Sequence, residues 1–165
     1  MTPKLYWIGC SDSRVSETLL IEAELGEVFV ERNIANLFKA EDARTSAGME
    51  YAIHSLNVSH VVLVGHEGDV GEQAIVDWIA PIRQMAVDML QRIGGTSAQR
   101  SPTAQEYRKQ LSTLVELNVF QQARNILTSP VVKDAKRQGR SIWVYGWIYD
   151  IETGKIRQVL SESSL

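Results

Sequence analysis

Apolar residues along this chain come in two rhythms that alternate, short unbroken runs and helical periods. Leu5–Gly9 is such a run and predicts a strand. Ser16–Leu25 predicts a helix, with Ser16 as its N-cap and Gly26 as its stop. Glu27–Val30 predicts a second strand and Arg32–Asn36 a loop, after which Met49, Ala52, Ile53 and Leu56 repeat at i, i+3, i+4 and i+7 as on an amphipathic helix. His60–Val64, nearly all Val and Leu, has the composition of a strand buried on both faces of a parallel sheet.

Further on, Ile75, Ile79, Ile82, Ala86, Met89, Leu90 and Ile93 keep a helical period through Pro81, which either starts a new helix or kinks one. Gly94-Gly95-Thr96-Ser97 breaks that period, and the polar stretch to Ser101-Pro102 predicts a mobile loop. Leu111, Leu114, Val115 and Val119 mark a helix running toward Leu127, and Pro130 opens a short helix ending at Gly139. Ser141–Asp150 predicts a fourth strand, and the turn Glu152-Thr153-Gly154 folds Lys155–Leu160 back against it. This order predicts an α/β fold: a mostly parallel β-sheet flanked by helices, with an antiparallel C-terminal hairpin strand. No internal repeat or linker interrupts it, and 165 residues suit a single domain over 1–165.

Composition narrows the classes. A formal net charge of −3 without a basic patch gives no nucleic-acid footprint. The single cysteine excludes an intramolecular disulfide and favours a reducing compartment, so a cytoplasmic location is expected. No apolar run approaches the roughly 20 residues of a membrane span, and Met1-Thr2-Pro3-Lys4 leads into the first strand without a targeting signal, so no membrane partner is expected.

That cysteine opens the run Cys10-Ser11-Asp12-Ser13-Arg14 directly after the first strand, and Gly65-His66-Glu67-Gly68-Asp69 follows the third. Ligands of parallel sheets bind outside the carboxyl ends of the strands, so a thiol, an imidazole and carboxylates at two such ends point to a divalent metal. Each residue also has a plainer role. Cys10 could be a small buried hydrophobe and His66 a core histidine, while Asp69 could cap a helix that begins near Gly71. Glu67 lies next to His66 and would turn the opposite way. His54 and His60 are expected in solvent, Met49, Met85 and Met89 in the helical core, and Trp143 and Trp147 against the edge strand or a subunit contact.

Trp7-Ile8-Gly9-Cys10-Ser11-Asp12-Ser13-Arg14-Val15, Gly26 through Asn36, Gly65-His66 and Tyr145-Gly146-Trp147-Ile148-Tyr149-Asp150 together resemble the β-class carbonic anhydrases, in that order and over nearly the whole chain. The resemblance implies a Zn²⁺-dependent lyase (carbonate dehydratase) that hydrates carbon dioxide to bicarbonate by attack of metal-bound hydroxide. It implies Cys10 and His66 as zinc ligands. The family's second cysteine ligand is Asp69 here, and the glycine after it is Val70. A carboxylate is a harder donor than a thiolate, so a Cys-His-Asp set should leave the metal more Lewis acidic and less tightly held. The resemblance further gives Asp12 and Arg14 the catalytic pair, with Asp12 either coordinating zinc and shutting the site or held off it by Arg14. Family members usually carry helices before the first strand, whereas this chain begins almost at the strand. A homodimer or higher homo-oligomer is still implied, with Phe29, Ile34, Leu37, Phe38 and Tyr51 at the cleft wall or interface. The alternatives are a hydrolase of carbonyl sulfide or carbon disulfide, or a non-catalytic relative that binds metal weakly.

Overall fold

The computed structural model describes residues 2–67, 79–92 and 103–164. Five strands, β1 (Leu5–Cys10), β2 (Val28–Asn33), β3 (His60–His66), β4 (Trp143–Asp150) and β5 (Lys155–Ser163), form one sheet in the order β2-β1-β3-β4-β5. The first four pair in parallel and β5 runs antiparallel to β4, which is the expected fold class. Tyr6–Cys10 and Val61–Gly65 are buried without a break, as unalternating apolar runs in a covered parallel sheet should be.

On one face, Tyr6, Ile8, Val61, Leu63, Val144 and Ile148 pack against three helices: α2 (Ala43–Glu50), α4 (Ala104–Thr128) and α5 (Pro130–Arg137). The opposite face is covered more thinly. There Trp7, Val15, Val62 and Val64 meet Leu20 of α1 (Glu17–Leu20) and the half-buried aromatics Tyr145, Trp147 and Tyr149. Trp7 and Trp147 meet edge to face with ring centroids 6.2 Å apart.

The helix ends follow their local chemistry. Thr103 caps α4 in a reciprocal box with Glu106, and Ser129 caps α5 with Pro130 in its first turn. Pro81 is the second residue of α3 (Ala80–Arg92) and so starts a helix rather than kinking one. Gly154 takes the positive φ of the β4–β5 turn.

Several elements depart from expectation. The helix predicted over Ser16–Leu25 is the single turn α1: it buries nothing, the Ser16 side chain makes no cap bond, and Glu22 turns to φ 51°. Leu19 and Leu25 are 81% and 87% exposed, so no packed face supports a longer helix. The second strand continues to Asn33, taking in two residues of the predicted loop, and the tight turn Ile34–Asn36 follows. Past α2 the helix widens over Tyr51–Ser55, with Met49, Ala52 and Ile53 in the core. Met85 and Met89 are half-buried on α3 rather than in the core. His60 is exposed as expected, whereas His54 is half-buried, with Nε2 3.7 Å from Asp134 Oδ2. Trp147 meets the edge strand as expected, its Nε1 donating to Gln158 of β5 at 3.3 Å, and Trp143 is exposed. Ile75, Ile93 and the loop over 94–102 lie outside the described residues. No helix among the described residues is long and apolar enough to cross a membrane.

α4 packs closely on the sheet. A Cβ added at Gly146 would lie 2.6 Å from Val119 Cγ1 and 3.0 Å from Leu160 Cβ, contacts that require β4 or α4 to move. Gly146→Ala is therefore expected to cost about 1–3 kcal/mol in urea unfolding, and Val119→Ala in the same chain should recover part of that loss.

Candidate metal centre

Strand order places the site. From β1 the chain passes to β2 on one side, while β3 lies on the other, so the carboxyl ends of β1 and β3 flank the crevice where successive connections diverge. Cys10 is the last residue of β1 and His66 the last of β3, and the two side chains lie close enough to shift each other's pKa.

Cys10 is 8% exposed. Burial by itself pushes its thiol pKa up, but hydrogen bonds from His66 and from the backbone N–H groups of Asp12 and Ala35 outweigh it and hold the pKa below that of an ordinary thiol. His66 shows the converse balance: burial opposes its protonation, whereas the bond to Cys10, the Glu67 carbonyl and the charges of Cys10 and Asp12 raise its pKa. His66 Nδ1 lies 3.0 Å from the Glu67 carbonyl oxygen, which can only accept, so Nδ1 carries a proton; Nε2, on the other side of the ring, donates to the Cys10 thiolate when the imidazole is protonated and is a free donor atom for a metal when it is neutral.

Beside this pair Asp12 is gripped by Arg14. Asp12 Oδ1 accepts from the Arg14 backbone N–H and from Nε, both at 2.9 Å, and Oδ2 accepts from Nη2 at 2.6 Å. The Arg14 hydrogen bond holds the Asp12 carboxyl well below the usual carboxylate range. From behind, Arg32 donates Nε to the Cys10 carbonyl at 3.1 Å and Nη2 to the Asp12 carbonyl at 2.7 Å, which fixes the backbone of the loop. Arg44 in turn donates to the Arg32 carbonyl at 2.9 Å.

The neighbouring turn is held as firmly. Ala35 and Asn36 both take positive φ, 62° and 47°. The Asn33 side chain brackets them, donating to the Leu37 carbonyl at 2.8 Å and accepting from the Leu37 N–H at 2.7 Å. Asn118 of α4 donates to the Ala35 carbonyl at 3.0 Å, and Gln122 accepts from the Phe38 N–H at 3.0 Å. Over the centre lies a cavity of about 540 Å³, floored by Cys10, Asp12, Asn36 and His66 and walled by Ile34, Ile79, Ile82, Leu111, Leu114 and Val115.

Of the residues singled out in the sequence, Cys10, Asp12, Arg14 and His66 stand together. Asp69 and Val70 lie outside the described residues. Among the described residues no three His, Cys, Asp or Glu side chains form a group able to hold a metal ion, so two donors are on view. Ile34 lines the cavity as expected. Leu37 and Phe38 do not line this cavity: the Asn33 and Gln122 bonds fold their backbone inward, and both are buried within the chain. Phe29 is half-buried with its ring between Tyr6 and Tyr51, and Tyr51 is exposed.

A family profile described as carbonic anhydrase matches residues 5–156. The chain belongs to the β-carbonic anhydrase family. It is 36% identical to a carbonic anhydrase of Pseudomonas aeruginosa over 93% of this chain and 72% of that protein. It is 33% identical to one of Synechococcus elongatus, covering 98% of this chain but only 62% of that longer protein. Among solved structures, a tetrameric β-carbonic anhydrase of Sordaria macrospora superposes with a TM-score of 0.80 at 28% identity, covering 98% of this chain and 83% of that one. The β-carbonic anhydrase CafA of Aspergillus fumigatus gives a TM-score of 0.80 at 32% identity, covering 96% and 76%.

The zinc this family uses suits the donors present. A thiol with a lowered pKa and an imidazole whose Nδ1 is committed to a backbone carbonyl are the sulfur and nitrogen donors zinc prefers, already oriented. The supporting polar residues Arg32, Asn33, Asn118 and Gln122 were not anticipated as part of the site. A signal for the last two existed: Asn118 and Gln122 fall on the same stripe of α4 as Leu111 and Val115, and polar residues on an apolar stripe have to be satisfied by something.

Because Arg32 spans two carbonyls with one planar fork, a lysine at this position can satisfy only one of them. Arg32→Lys is expected to lower unfolding stability by about 1–3 kcal/mol in urea titration, and an unchanged midpoint would mean the fork is dispensable.

Proposed function

We propose that this chain is a zinc-dependent lyase catalysing the reversible hydration of carbon dioxide to bicarbonate. The observation that carries this reading is the Cys10–His66 pair at the carboxyl ends of adjacent parallel strands, with the Asp12–Arg14 pair beside it. Cys10 Sγ and His66 Nε2 would hold the metal, and the family resemblance adds Asp69 as the third ligand. Bound zinc would supply a Lewis acid that makes water nucleophilic near neutral pH.

The protein groups have separable roles. The Glu67 carbonyl orients the His66 ring, and the hydrogen bonds to Cys10 keep its sulfur ready as a thiolate. Asp12, fixed by the Arg14 fork, presents a carboxylate to the cavity that accepts a hydrogen bond from a protonated oxygen of substrate water or product. Arg14 keeps that carboxylate from swinging toward the thiol and imidazole. The aliphatic wall above suits an apolar substrate such as carbon dioxide and limits competing water. We read the whole chain as one domain that acts as a homodimer or higher homo-oligomer in the cytoplasm. The tetrameric Sordaria relative, the exposed Leu19 and Leu25 and the single cysteine support these points.

Metal analysis of protein purified without added zinc, and again after zinc soaking, tests the reading. Near one zinc per chain is expected, with loss in Cys10→Ser and His66→Ala and tighter binding in Asp69→Cys. A stoichiometry near zero after soaking would overturn it. Stopped-flow carbon dioxide hydration should show a rate that rises with pH in the zinc-loaded protein. Arg14→Ala should keep its zinc while losing activity about 10- to 100-fold, because Asp12 is no longer held away from the donors. Full activity in that variant would remove Arg14 from the mechanism.

A further inference from the structure

Four buried side-chain atoms among the described residues have no hydrogen-bond partner: Tyr6 Oη, Trp7 Nε1, Glu17 Oε2 and Asn36 Nδ2. Only Asn36 lines the cavity above Cys10 and His66. It is 2% exposed and Nδ2 itself is closed to solvent, so the amide reaches a ligand in the cavity by turning toward it. The other buried amide of the cavity, Asn118, has a partner at each end: its nitrogen donates to the Ala35 carbonyl and its oxygen accepts from Gln122. A primary amide nitrogen buried without an acceptor is costly, and such a group on a ligand cavity marks where a ligand oxygen belongs.

The surrounding groups specify that oxygen. Asn36 Nδ2 is an uncharged donor, while the Asp12 carboxylate, held in the Arg14 fork, offers acceptor oxygens to the same cavity. A ligand meeting both carries an acceptor oxygen and an O–H on one small planar centre. Bicarbonate has both, whereas carbon dioxide has no hydrogen to give. We propose that Asn36 is a substrate-contacting residue whose Nδ2 donates to a carboxylate oxygen of bicarbonate while the bicarbonate O–H faces Asp12. This deepens the lyase reading and rests on it. In the hydration direction the water oxygen bonds to carbon, one C=O π pair moves onto the oxygen facing Asn36, and the proton released from water passes to solvent. Asn36 thus faces the atom that gains charge, where a preorganised donor favours the transition state over the neutral substrate.

The test compares zinc-loaded wild type with Asn36→Asp and Asn36→Gly, both of which tolerate the positive φ at this position. Bicarbonate affinity is measured by ¹³C NMR titration, along with zinc content and the bicarbonate-induced rise in Tm. The expected result is unchanged zinc content, affinity lowered at least about tenfold in both variants, and a Tm rise seen in wild type but largely lost in the variants. Wild-type affinity and an undiminished Tm rise in either zinc-loaded variant would overturn the role of Asn36 and leave the lyase reading standing. A zinc-loaded wild type that neither binds bicarbonate nor hydrates carbon dioxide would overturn both.

Discussion

The parallel pairing of β1 with β3 is the constraint on which the site depends. Tyr6 through Gly9 are in register with Val61 through Val64, and both strands are buried on two faces, so neither can slide without exposing apolar side chains or burying polar ones. That register brings Cys10 and His66 to the same end of the sheet. A slip of one residue in β1 would move Tyr6, Ile8 and Cys10 to the opposite face, away from α4. The alternative is excluded by the core itself, where Tyr6 and Ile8 pack with Val119 and Ala123 while Trp7 packs with Val62 and Val64. Site geometry is in this sense a by-product of hydrophobic register.

The loops that carry the chemistry have no such register and are held by hydrogen bonds instead. Arg32 ties the backbone of the Cys10–Asp12 loop, the Asn33 amide closes the turn to Leu37, and Asn118 and Gln122 of α4 hold that turn from behind. The α4 side chains are themselves linked, Gln122 to Asn118 and Asn125 to Gln122. A buried polar network of this kind stabilises only when its members are satisfied, and the satisfied ones are those that support the turn. Asn36, whose Nδ2 finds no partner, lines the cavity together with Asn118.

The sequence made the sheet and the central residues legible because both depend on local order. Val- and Ile-rich runs announce buried strands, and a Cys or His immediately after such a run must emerge at the sheet's carboxyl edge. The supporting residues were hidden because their partners are distant: Asn118 meets Ala35 across 83 positions and Arg32 meets Cys10 across 22. Helix length was misjudged at Ser16–Leu25 for a different reason. Propensity and caps suggest a helix there, but Leu19 and Leu25 are 81% and 87% exposed, so tertiary support comes only from Leu20 and Ile21 among the described residues. Leu37 and Phe38, expected at the cleft wall or the interface, are buried within the chain because apolar residues after a loop do not reveal which way the backbone turns, and two side-chain amides decide that.

The placement of charge explains how such a site could hold an anion without trapping it. Arg14 is 58% exposed, so its charge is well solvated, and its effect on Asp12 comes more from the geometry of its fork than from long-range attraction. Arg32 spends donors on backbone carbonyls rather than on the cavity. Of the side chains on the cavity floor, Asn36 is a neutral amide and Asp12 a carboxylate, and the charge of a bound zinc would add to theirs. Neutral donors next to a fixed carboxylate orient an anionic product while limiting how tightly it binds, because Coulomb repulsion from Asp12 offsets part of each hydrogen bond. An arginine in place of Asn36 would strengthen binding of product more than of the uncharged substrate, and turnover would then be limited by release.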